Sequence, residues 1–383
     1  MIVSRFPFPL EKGDKLRAYY QIRELGRYFN IQLVALSEAH VSKEHLQKLE
    51  KFCAEVHVFK ISRFSKLINT ALMIFGKKPF QVGYFFSFKA KYKIQSLLKK
   101  QKPDYIYCQL VRTAEYVKNH HLTPKTIDYM DTLSIGMERR SQKSKGLWKF
   151  LFTEEAKRLR EYERVIFDYF EERTIISKQD RNYISHSERE KIQLIQNGID
   201  PTFFEKISVS KTHELVFVGN LSYAPNVEAV HYISNEILPK LPGINCLISG
   251  ATPSNPLIKL TQQNTQIELQ GWIDDIREAY LRGRIFIAPM QIGTGMQNKL
   301  LEAMALGIPC ITTTLANNAI QAKINDEILV ADSPEEFASC VLELIENQML
   351  YNKLAFNAKE FVKNNYSWED STLKLSKIIR GES

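Results

Sequence analysis

The sequence predicts an α/β protein of two domains, each with a parallel sheet, and three observations lead to this prediction. The chain has 383 residues, which is long for one ordinary core. Strand-like apolar runs alternate with amphipathic helix-like segments, as in a parallel sheet with crossover helices. The pattern then restarts at 214–218, after a linker at 203–212 with little periodicity. The predicted domains are residues 1–205 and residues 206–365.

Short β-rich runs bounded by polar or turn residues predict the strands of the first domain, and apolar spacing of three or four residues predicts its helices. The predicted strands are 1–8, 31–36, 56–61, 103–108, 125–129, 174–177 and 192–195. The predicted helices are 15–29, 40–53, 90–100, 154–172 and one that begins at 178.

The second domain shows the same alternation. Its predicted strands are 214–218, 244–249, 267–270, 285–289 and 310–313, and its predicted helices include 226–237, 273–283 and 298–306. The first of these strands ends in Gly219 and Asn220, as a strand ends in a phosphate-side turn. A second Rossmann-like unit is therefore expected.

Composition narrows the class of protein. Hydrophobic residues make up 44% and charged residues 25%, as in globular proteins, and the sequence has no apolar run long enough for a membrane span. The N-terminal segment reads as a first strand and lacks the features of a signal peptide, so we expect a cytoplasmic protein. The five cysteines are scattered singly, which predicts reduced core residues and no metal site.

The net charge of +9 is unevenly distributed. Residues 60–102 carry eleven Lys or Arg and no Asp or Glu, interleaved with aromatic residues, and 143–152 has the same character. Such stretches are typical of a solvated helix face over core aromatics or of contact with an anionic membrane. The second interpretation would make the protein peripheral on the inner face of the cytoplasmic membrane. No nucleic-acid-binding module is recognisable, so nucleic acid is not an expected partner.

The stretch 288–314 carries the most chemical information. A strand stops at Pro289, a loop with Gly293 and Gly295 follows, and a helix begins near Gln297 or Asn298. Glycines let the backbone approach a ligand, and the free amides at a helix N-terminus favour a pyrophosphate.

Two charged residues follow in this helix. Lys299 adds a cation in its first turn, and Glu302 lies about one turn later, where a carboxylate can accept hydrogen bonds from both hydroxyls of a ribose. The alternative for each is a solvated charge on an exposed helix face.

At these residues the chain resembles the family 4 glycosyltransferases of the GT-B fold. The run 295–309 is similar to the family's donor-site signature, in which two glutamates eight positions apart span the glycine loop. Glu302 matches the second glutamate, which the family uses on the donor ribose. Thr294 stands at the position of the first, so the identity of the sugar is left open.

The resemblance extends over nearly the whole chain. It is carried by 217–226, by 269–275, by 197–200 and by 366–368, which is similar to the start of the family's last helix. That helix crosses back in this fold, so about 366–383 is assigned to the first domain. The resemblance implies two Rossmann-like domains that face each other across a cleft.

The resemblance also implies which residues bind the donor. They are Gly219, Asn220, Gly271, Trp272, Gly293, Thr294, Gly295, Met296, Gln297, Asn298, Lys299 and Glu302. Many relatives hold the diphosphate with an Arg at the position of Asn220 and a Lys at that of Pro225. The phosphates therefore need other partners here, and Lys299 and either Lys15 or Arg17 are the candidates.

The first domain supplies the predicted catalytic residues, Asp131, Gly13 and Lys15, with Arg17 on the acceptor side. The family uses a glycine at the turn of Gly13 for backbone approach, and it often carries a histidine at the position of Asp131. An aspartate can accept from a sugar hydroxyl, and its alternative role is that of an N-cap or turn residue. Asp128 is a weaker candidate because it points to the other side of the strand.

The predicted function is that of a retaining, metal-independent hexosyltransferase in bacterial surface polysaccharide synthesis. No cofactor is expected besides the UDP- or GDP-linked donor, and the acceptor would be a glycan or lipid-linked. The alternatives are a catalytically degenerate nucleotide-sugar-binding protein and a nucleotide-sugar epimerase. A dehydrogenase is disfavoured because Gly13 lacks the Gly-x-Gly-x-x-Gly spacing.

Overall fold

The computed structural model describes residues 1–74, 76–292 and 295–382. It divides into two compact units, Met1–Gln196 with the chain from Trp368 onward, and Asn197–Ser367. The division falls nine residues before the predicted one because the turn after Asn197 belongs to the second unit, where the amide of Ile199 donates to the carbonyl of Tyr366 at 3.0 Å.

Within the described residues, the first unit holds a seven-stranded parallel sheet in the order β3-β2-β1-β4-β5-β6-β7. The strands are β1 Ile2–Val3, β2 Gln32–Ser37, β3 Glu55–Lys60, β4 Ile106–Gln109, β5 Lys125–Asp128, β6 Glu172–Ile175 and β7 Gln193–Leu194. The first strand ends at Val3, well before the predicted end at residue 8, and Pro7 has no amide hydrogen with which a longer strand could continue the sheet ladder.

Helices cover both faces of this sheet. They are α1 Gly13–Leu25, α2 Lys43–Glu50, α3 Arg63–Ile74, α4 Phe80–Tyr84, α5 Phe88–Gln101, α6 Leu133–Gln142, α7 Gly146–Ile166 and α8 Lys178–Tyr183. Helix α7 begins eight residues before the predicted start, so the basic stretch 143–152 contains a turn and the first part of a helix. Within the described residues, no helix is long and apolar enough to cross a bilayer.

The second unit repeats the plan with strands β8 His213–Val218, β9 Cys246–Ser249, β10 Ile267–Gln270, β11 Gly283–Ala288, β12 Cys310–Thr312 and β13 Leu329–Val330. In the described part of the chain they form a parallel sheet in the order β10-β9-β8-β11-β12-β13. Its helices are α9 Ala224–Tyr232, α10 Asn255–Gln263, α11 Ile276–Leu281, α12 Asn298–Ala305, α13 Thr314–Ile320, α14 Pro334–Glu346 and α15 Gln348–Asn365. A wider helical turn at Ile233–Ile237 continues α9.

The last helix, α16 Trp368–Arg380, returns to the first unit. Its indole Trp368 stacks on Tyr20 of α1 with ring centroids 4.9 Å apart, and Leu375 and Ile378 join the core that contains Ile22 and Val3. Because neighbouring residues of a strand point to opposite faces, Ile2 lies in the core on the other side of the sheet.

In both sheets the strand order reverses beside the first strand of the unit, between β1 and β4 and between β8 and β11. Ligands of open parallel sheets bind outside the carboxyl ends of the strands at such a reversal. These two strand edges are therefore where binding residues are expected.

Candidate functional site

Two glycines allow close packing at the carboxyl edge of the second sheet. Gly219 follows β8, and a Cβ on it would lie 2.7 Å from Nδ2 of Asn226. Gly250 follows β9 with φ +155°, and its Cβ would lie 1.8 Å from the carbonyl oxygen of Gly219. The sequence singles out Gly219 but not Gly250, which has no motif around it.

Asn226 connects the β8 turn to helix α12. Its Nδ2 donates to the carbonyl of Asn220 at 2.8 Å, and its Oδ1 accepts from Nζ of Lys299. The side chain of Asn220 stays within its own turn, where its Oδ1 accepts from the amide and hydroxyl of Ser222. Asn226 was overlooked in the sequence because 73 residues separate it from Lys299.

Lys299 lies beside apolar groups at this edge. Its Nζ is 5.0 Å from the ring centroid of Phe217 and 3.8 Å from Sδ of Met290. Burial lowers the pKa of Lys299 to about 7, against the opposing effect of the Glu302 carboxylate. The amine is therefore close to half-protonated at neutral pH, and an approaching anion would favour its charged form.

Glu302 is held by a buried tyrosine. The hydroxyl of Tyr280, on α11, donates to Oε2 of Glu302 at 2.6 Å. Burial raises the pKa of Glu302, while the Tyr280 hydrogen bond and the Lys299 charge act in the opposite direction. Burial, followed by the charge of Glu302, holds the pKa of Tyr280 well above its usual value, so this hydroxyl stays a donor. Tyr280 was not identified from the sequence, because it lies in an otherwise ordinary helix.

The segment that leads into α12 contains the other residues predicted from the glycine loop. Gly293 and Thr294 lie outside the described residues. Gly295 has φ +76°, a conformation that favours glycine, and Met296 after it is buried. Gln297 precedes the first helical residue, Asn298, whose Oδ1 accepts from Nδ2 of Asn197 at 3.0 Å.

Gly271 and Trp272 follow β10, the edge strand two places from β8. Trp272 is 62% exposed, and its Nε1 donates to Asp274 at 3.2 Å. Gly271 borders a cavity of about 370 Å³ that is also lined by Pro253, Ile258 and Leu269. Both residues thus lie on the same carboxyl edge as Gly219, farther along the sheet.

In the first unit, Arg17 is buried, which corrects its assignment to the acceptor side or to a phosphate. Its Nε donates to Oδ2 of Asp128 at 2.7 Å and its Nη2 to Oδ1 at 3.2 Å, and neither side chain is exposed. The Asp128 carboxylate also accepts from the hydroxyl of Tyr107 at 2.8 Å. A charge on a predicted helix was taken for a surface charge, but its partner is a strand residue 111 positions away.

Gly13 and Lys15 lie at the start of α1. Gly13 is exposed and is the first helical residue. Lys15 is half-buried, and its Nζ donates to the carbonyl of Phe8 at 3.3 Å. Burial lowers the pKa of Lys15, with the charge of Asp14 opposing it. Both stay predictions for this edge.

Asp131 follows β5 and is placed by an unusual backbone conformation. Met130 has φ +60°, and the amide of Asp131 donates to the carbonyl of Tyr129 at 2.8 Å. Burial, and then the charge of Asp180, raise the pKa of Asp131 to about 8. Asp131 is not the N-cap of α6, because that position is held by Thr132, but the alternative of a turn aspartate stays open. Burial and the neighbouring carboxylate thus favour the protonated form of Asp131, which can donate a hydrogen bond.

Two arginines that the sequence did not single out lie at the same edge. Arg5 follows β1 and Arg112 follows β4, and their guanidinium carbons lie 5.0 and 4.9 Å from the ring centroid of Phe85. Arg5 pairs with Asp14 at 2.5 Å, and Nε of Arg112 donates to Gln81 at 3.1 Å. Arg112 follows the predicted strand 103–108, a signal that could have identified it, whereas Arg5 lies inside the predicted strand 1–8.

The basic aromatic stretch 60–102 serves both core and surface. Phe85 is buried in the first unit, whereas Phe88 and Tyr92 on α5 are exposed.

Among the described residues, no group of three His, Cys, Asp or Glu side chains is arranged to hold a metal ion. All five cysteines are free thiols, and four of them are buried.

Comparisons with known proteins support the predicted class. Residues 212–347 match the family model described as glycosyl transferases group 1. An uncharacterised 44.6 kDa protein of the cps region of Klebsiella pneumoniae is 22% identical, over 98% of this chain and 97% of its own length. The Escherichia coli UDP-Gal:alpha-D-GlcNAc-diphosphoundecaprenol alpha-1,3-galactosyltransferase is 26% identical. The matched region covers 46% of this chain and 51% of that protein.

Solved structures share the fold over nearly the whole chain. Sucrose-phosphate synthase from Thermosynechococcus elongatus superposes with a TM-score of 0.73 at 12% identity, covering 99% of this chain and 97% of its own. Anabaena Alr3699/HepE, solved in complex with UDP and glucose, gives a TM-score of 0.69 at 13% identity and covers 99% and 98%. The predicted α/β architecture of two Rossmann-like domains is confirmed.

Proposed function

We propose that this chain is a family 4 glycosyltransferase of the GT-B fold that moves a sugar from a nucleotide diphosphate sugar to a glycan or lipid-linked acceptor, with retention of anomeric configuration. The observation that carries the proposal is the placement of Lys299 and Glu302 on the first turns of α12, next to the strand reversal between β8 and β11. This edge combines a cation, free helix amides and a carboxylate, the groups that a diphosphate joined to a ribose requires.

On the donor side, Glu302 would accept from the ribose hydroxyls while Tyr280 holds its Oε2. Lys299 and the amides at the start of α12 would balance the diphosphate charge. The donor would be UDP- or GDP-linked. UDP is favoured by the UDP of the Anabaena structure and by the UDP-galactose in the name of the Escherichia coli relative.

Transfer needs no covalent intermediate in this proposal. The bond between the sugar carbon and the departing phosphate oxygen breaks, the acceptor oxygen forms its bond on the same face, and the phosphate takes the acceptor proton. Lys299 would stabilise the negative charge that develops on the departing diphosphate. Asp131, whose protonated form is favoured by burial and by the charge of Asp180, would hold a sugar hydroxyl by donating a hydrogen bond.

On the acceptor side we replace Arg17 with Arg5 and Arg112, which lie with Lys15 at the carboxyl edge of the first sheet. Two guanidinium groups beside an aromatic ring are suited to a phosphate-bearing acceptor. The diphosphoundecaprenol in the name of the Escherichia coli relative and the cps region of the Klebsiella relative support surface polysaccharide biosynthesis. Such an acceptor would place the enzyme at the inner face of the cytoplasmic membrane.

A thermal-shift screen tests the donor site directly. Wild-type protein and Glu302→Ala are heated with UDP, GDP, ADP, CMP and their common sugars, because a ligand that binds the native state raises the unfolding midpoint. We expect one nucleotide class to stabilise the wild type and not the variant. The stabilising sugar nucleotide is then incubated with lipid-linked glycans, and the anomeric configuration of the product is read by NMR. Binding without transfer or donor hydrolysis would favour the degenerate, non-catalytic alternative.

A further inference from the structure

The hairpin of α6 and α7 ends in a tip with both apolar and basic side chains. The two helices are held together by the ion pair of Glu138 and Arg160 at 2.5 Å and by Arg140, which lies over the ring of Phe152 at 4.5 Å. The segment 142–150 projects beyond these contacts. We define this segment as the hairpin tip.

Three large apolar side chains of the tip are mostly in solvent. Leu147 is 70% exposed, Trp148 64% and Phe150 66%. Leu147 and Phe150 are three positions apart on one side of α7, and Trp148 lies on another side, where its ring stacks on Phe152 with centroids 5.9 Å apart. The rest of each side chain remains in solvent. Three neighbouring exposed residues of this size are unusual on a protein surface without a partner.

The charges around the tip all have one sign. Five Lys or Arg and no Asp or Glu occur between Glu138 and Glu154, and Lys143, Lys145 and Lys149 of the tip are exposed. A second copy of the tip, or any other basic protein surface, would meet this charge unfavourably. An anionic bilayer attracts lysines at its surface, and it accepts leucine and aromatic side chains at the boundary between head groups and acyl chains.

We propose that the hairpin tip docks the protein on an anionic lipid bilayer, with Leu147, Trp148 and Phe150 inserted into the interface and Lys145 and Lys149 at the lipid phosphates. The tip belongs to the first unit, whose helices include no candidate span among the described residues. This contact is therefore peripheral and reversible, and it is independent of whether the chain transfers a sugar.

Vesicle sedimentation tests the proposal without any substrate. Full-length protein is mixed with phosphatidylcholine vesicles, with or without one third phosphatidylglycerol. We expect binding only with the anionic lipid, and a loss of at least about tenfold in affinity for the triple variant Leu147→Ser, Trp148→Ser, Phe150→Ser. Lys145→Gln with Lys149→Gln should weaken binding roughly 10- to 30-fold, since each lysine near such a surface contributes roughly fivefold.

Two controls separate this surface from others. Phe356→Ser removes a phenylalanine of the second unit that is 67% exposed, and it should bind like the wild type. Phe88→Ser with Tyr92→Ser removes the exposed aromatics of α5, and it should also bind. If the α5 variant loses binding and the tip variant keeps it, or if neutral vesicles bind equally well, the proposal is wrong.

Tryptophan quenching by brominated lipids gives a second, position-specific readout. Trp148 and Trp272 are exposed and Trp368 is buried. Quenching should persist in Trp272→Phe and disappear in Trp148→Phe. The opposite result would overturn the proposal even if sedimentation showed binding, and a concentration-dependent dimer that Trp148→Ser dissolves would assign the tip to a second copy instead.

Discussion

The hydroxyl of Tyr280 donates to Oε2 of Glu302 at 2.6 Å, so a fully buried phenol orients the carboxylate that we assign to the donor ribose. The two residues lie 22 positions apart, on α11 and α12. A carboxylate fixed in this way does not have to lose rotational freedom when a ligand binds.

Tyr280→Phe should therefore weaken nucleotide binding, because it removes the hydrogen bond that orients Glu302 while the Glu302 carboxylate itself is kept. Loss of a hydrogen bond to a charged group costs about 1.5–3 kcal/mol of stability, and we expect affinity for the nucleotide to fall roughly 3- to 10-fold. Isothermal calorimetry and thermal unfolding measure the two effects. Tyr351→Phe is the matched control, because its hydroxyl donates to the carbonyl of Arg284 at 2.9 Å in the same unit. Equal nucleotide affinities in Tyr280→Phe and wild type would contradict the positioning role.

Lys299 should make donor binding pH-dependent. With its pKa near 7, the free amine loses its charge as the pH rises above neutral, so affinity for a UDP-sugar should fall between about pH 7 and 9. Binding should also take up a proton, which calorimetry in buffers of different ionisation enthalpy detects. Lys299→Arg should bind with no such pH dependence, and Lys299→Met should bind at least about tenfold more weakly. A proton uptake that survives in Lys299→Arg would assign the titration to another group.

Lys299 should also lower the stability of the folded protein. The folded pKa of Lys299, about 7, lies below its ordinary value of 10.5, so the unfolded chain binds more protons between these values. Stability of the wild type should therefore rise with pH across that window. Lys299→Met should be more stable than the wild type at pH 7 to 8 by up to a few kcal/mol, and this advantage should shrink toward pH 10. Urea unfolding at several pH values measures it.

Much of the second unit's site could be predicted because its residues are close together in the chain. The glycine loop, Lys299 and Glu302 fall within one strand-to-helix connection, so spacing alone indicates their chemistry. Asn226 and Tyr280 come from other elements, and only the packing of α9 and α11 brings them to α12. Arg17 was misplaced for the same reason, since a helical charge reads as exposed until its buried partner is known.

The fold was easier to predict than these contacts. Alternation of apolar runs and amphipathic segments is a local property, and it indicated both parallel sheets. Helices α3, α4 and α6 of the first unit were not predicted. Of these, α3 and α4 lie within the basic stretch 60–102, and α4 spans only Phe80–Tyr84, which is too short to show a helical period.

Gly219 should be required for nucleotide binding because it leaves room for the side chain of Asn226. A Cβ at position 219 would lie 2.7 Å from Nδ2 of Asn226, which would displace the side chain that contacts Lys299. We expect Gly219→Ala to weaken nucleotide binding about tenfold, and Asn226→Ala to weaken it by a similar factor. In the double variant the two losses should not add, because the alanine at 226 leaves room for the new methyl group. Fully additive losses in affinity would show that Gly219 acts independently of Asn226.

Asp131 should act in its protonated form. Its pKa of about 8 predicts that transfer activity falls as the pH rises through 8. Asp131→Asn should keep part of the activity without this decline, and Asp131→Ala should lose transfer activity by at least about tenfold. Asp131 should also make the stability of the fold depend on pH, in the opposite direction from Lys299. The folded pKa lies above the ordinary 3.8, so the contribution of Asp131 is complete below about pH 4 and is lost as the pH rises to 8. A pH–rate profile that is unchanged in Asp131→Asn would exclude this carboxyl as the titrating group.

Arg112 should bind phosphate on the first unit without taking part in donor binding. Its guanidinium shares the Phe85 ring with Arg5 and donates to Gln81, and changing it leaves the ion pair of Arg5 and Asp14 in place. With the enzyme saturated by UDP, we expect Arg112→Gln to lower the affinity for added pyrophosphate about tenfold. This affinity should also depend less on salt concentration than in the wild type, since one charged contact is lost.

Arg380→Gln, which removes an arginine from beside Tyr28 in the same unit, is the matched control and should leave pyrophosphate binding unchanged. The affinity for UDP should be the same in Arg112→Gln, Arg380→Gln and wild type, because this nucleotide is assigned to the other domain. Calorimetric titrations of UDP first and pyrophosphate second measure both constants on one sample. If Arg112→Gln weakens UDP and pyrophosphate alike, Arg112 supports the donor rather than the acceptor, and the acceptor-side assignment of Arg5 and Arg112 is wrong.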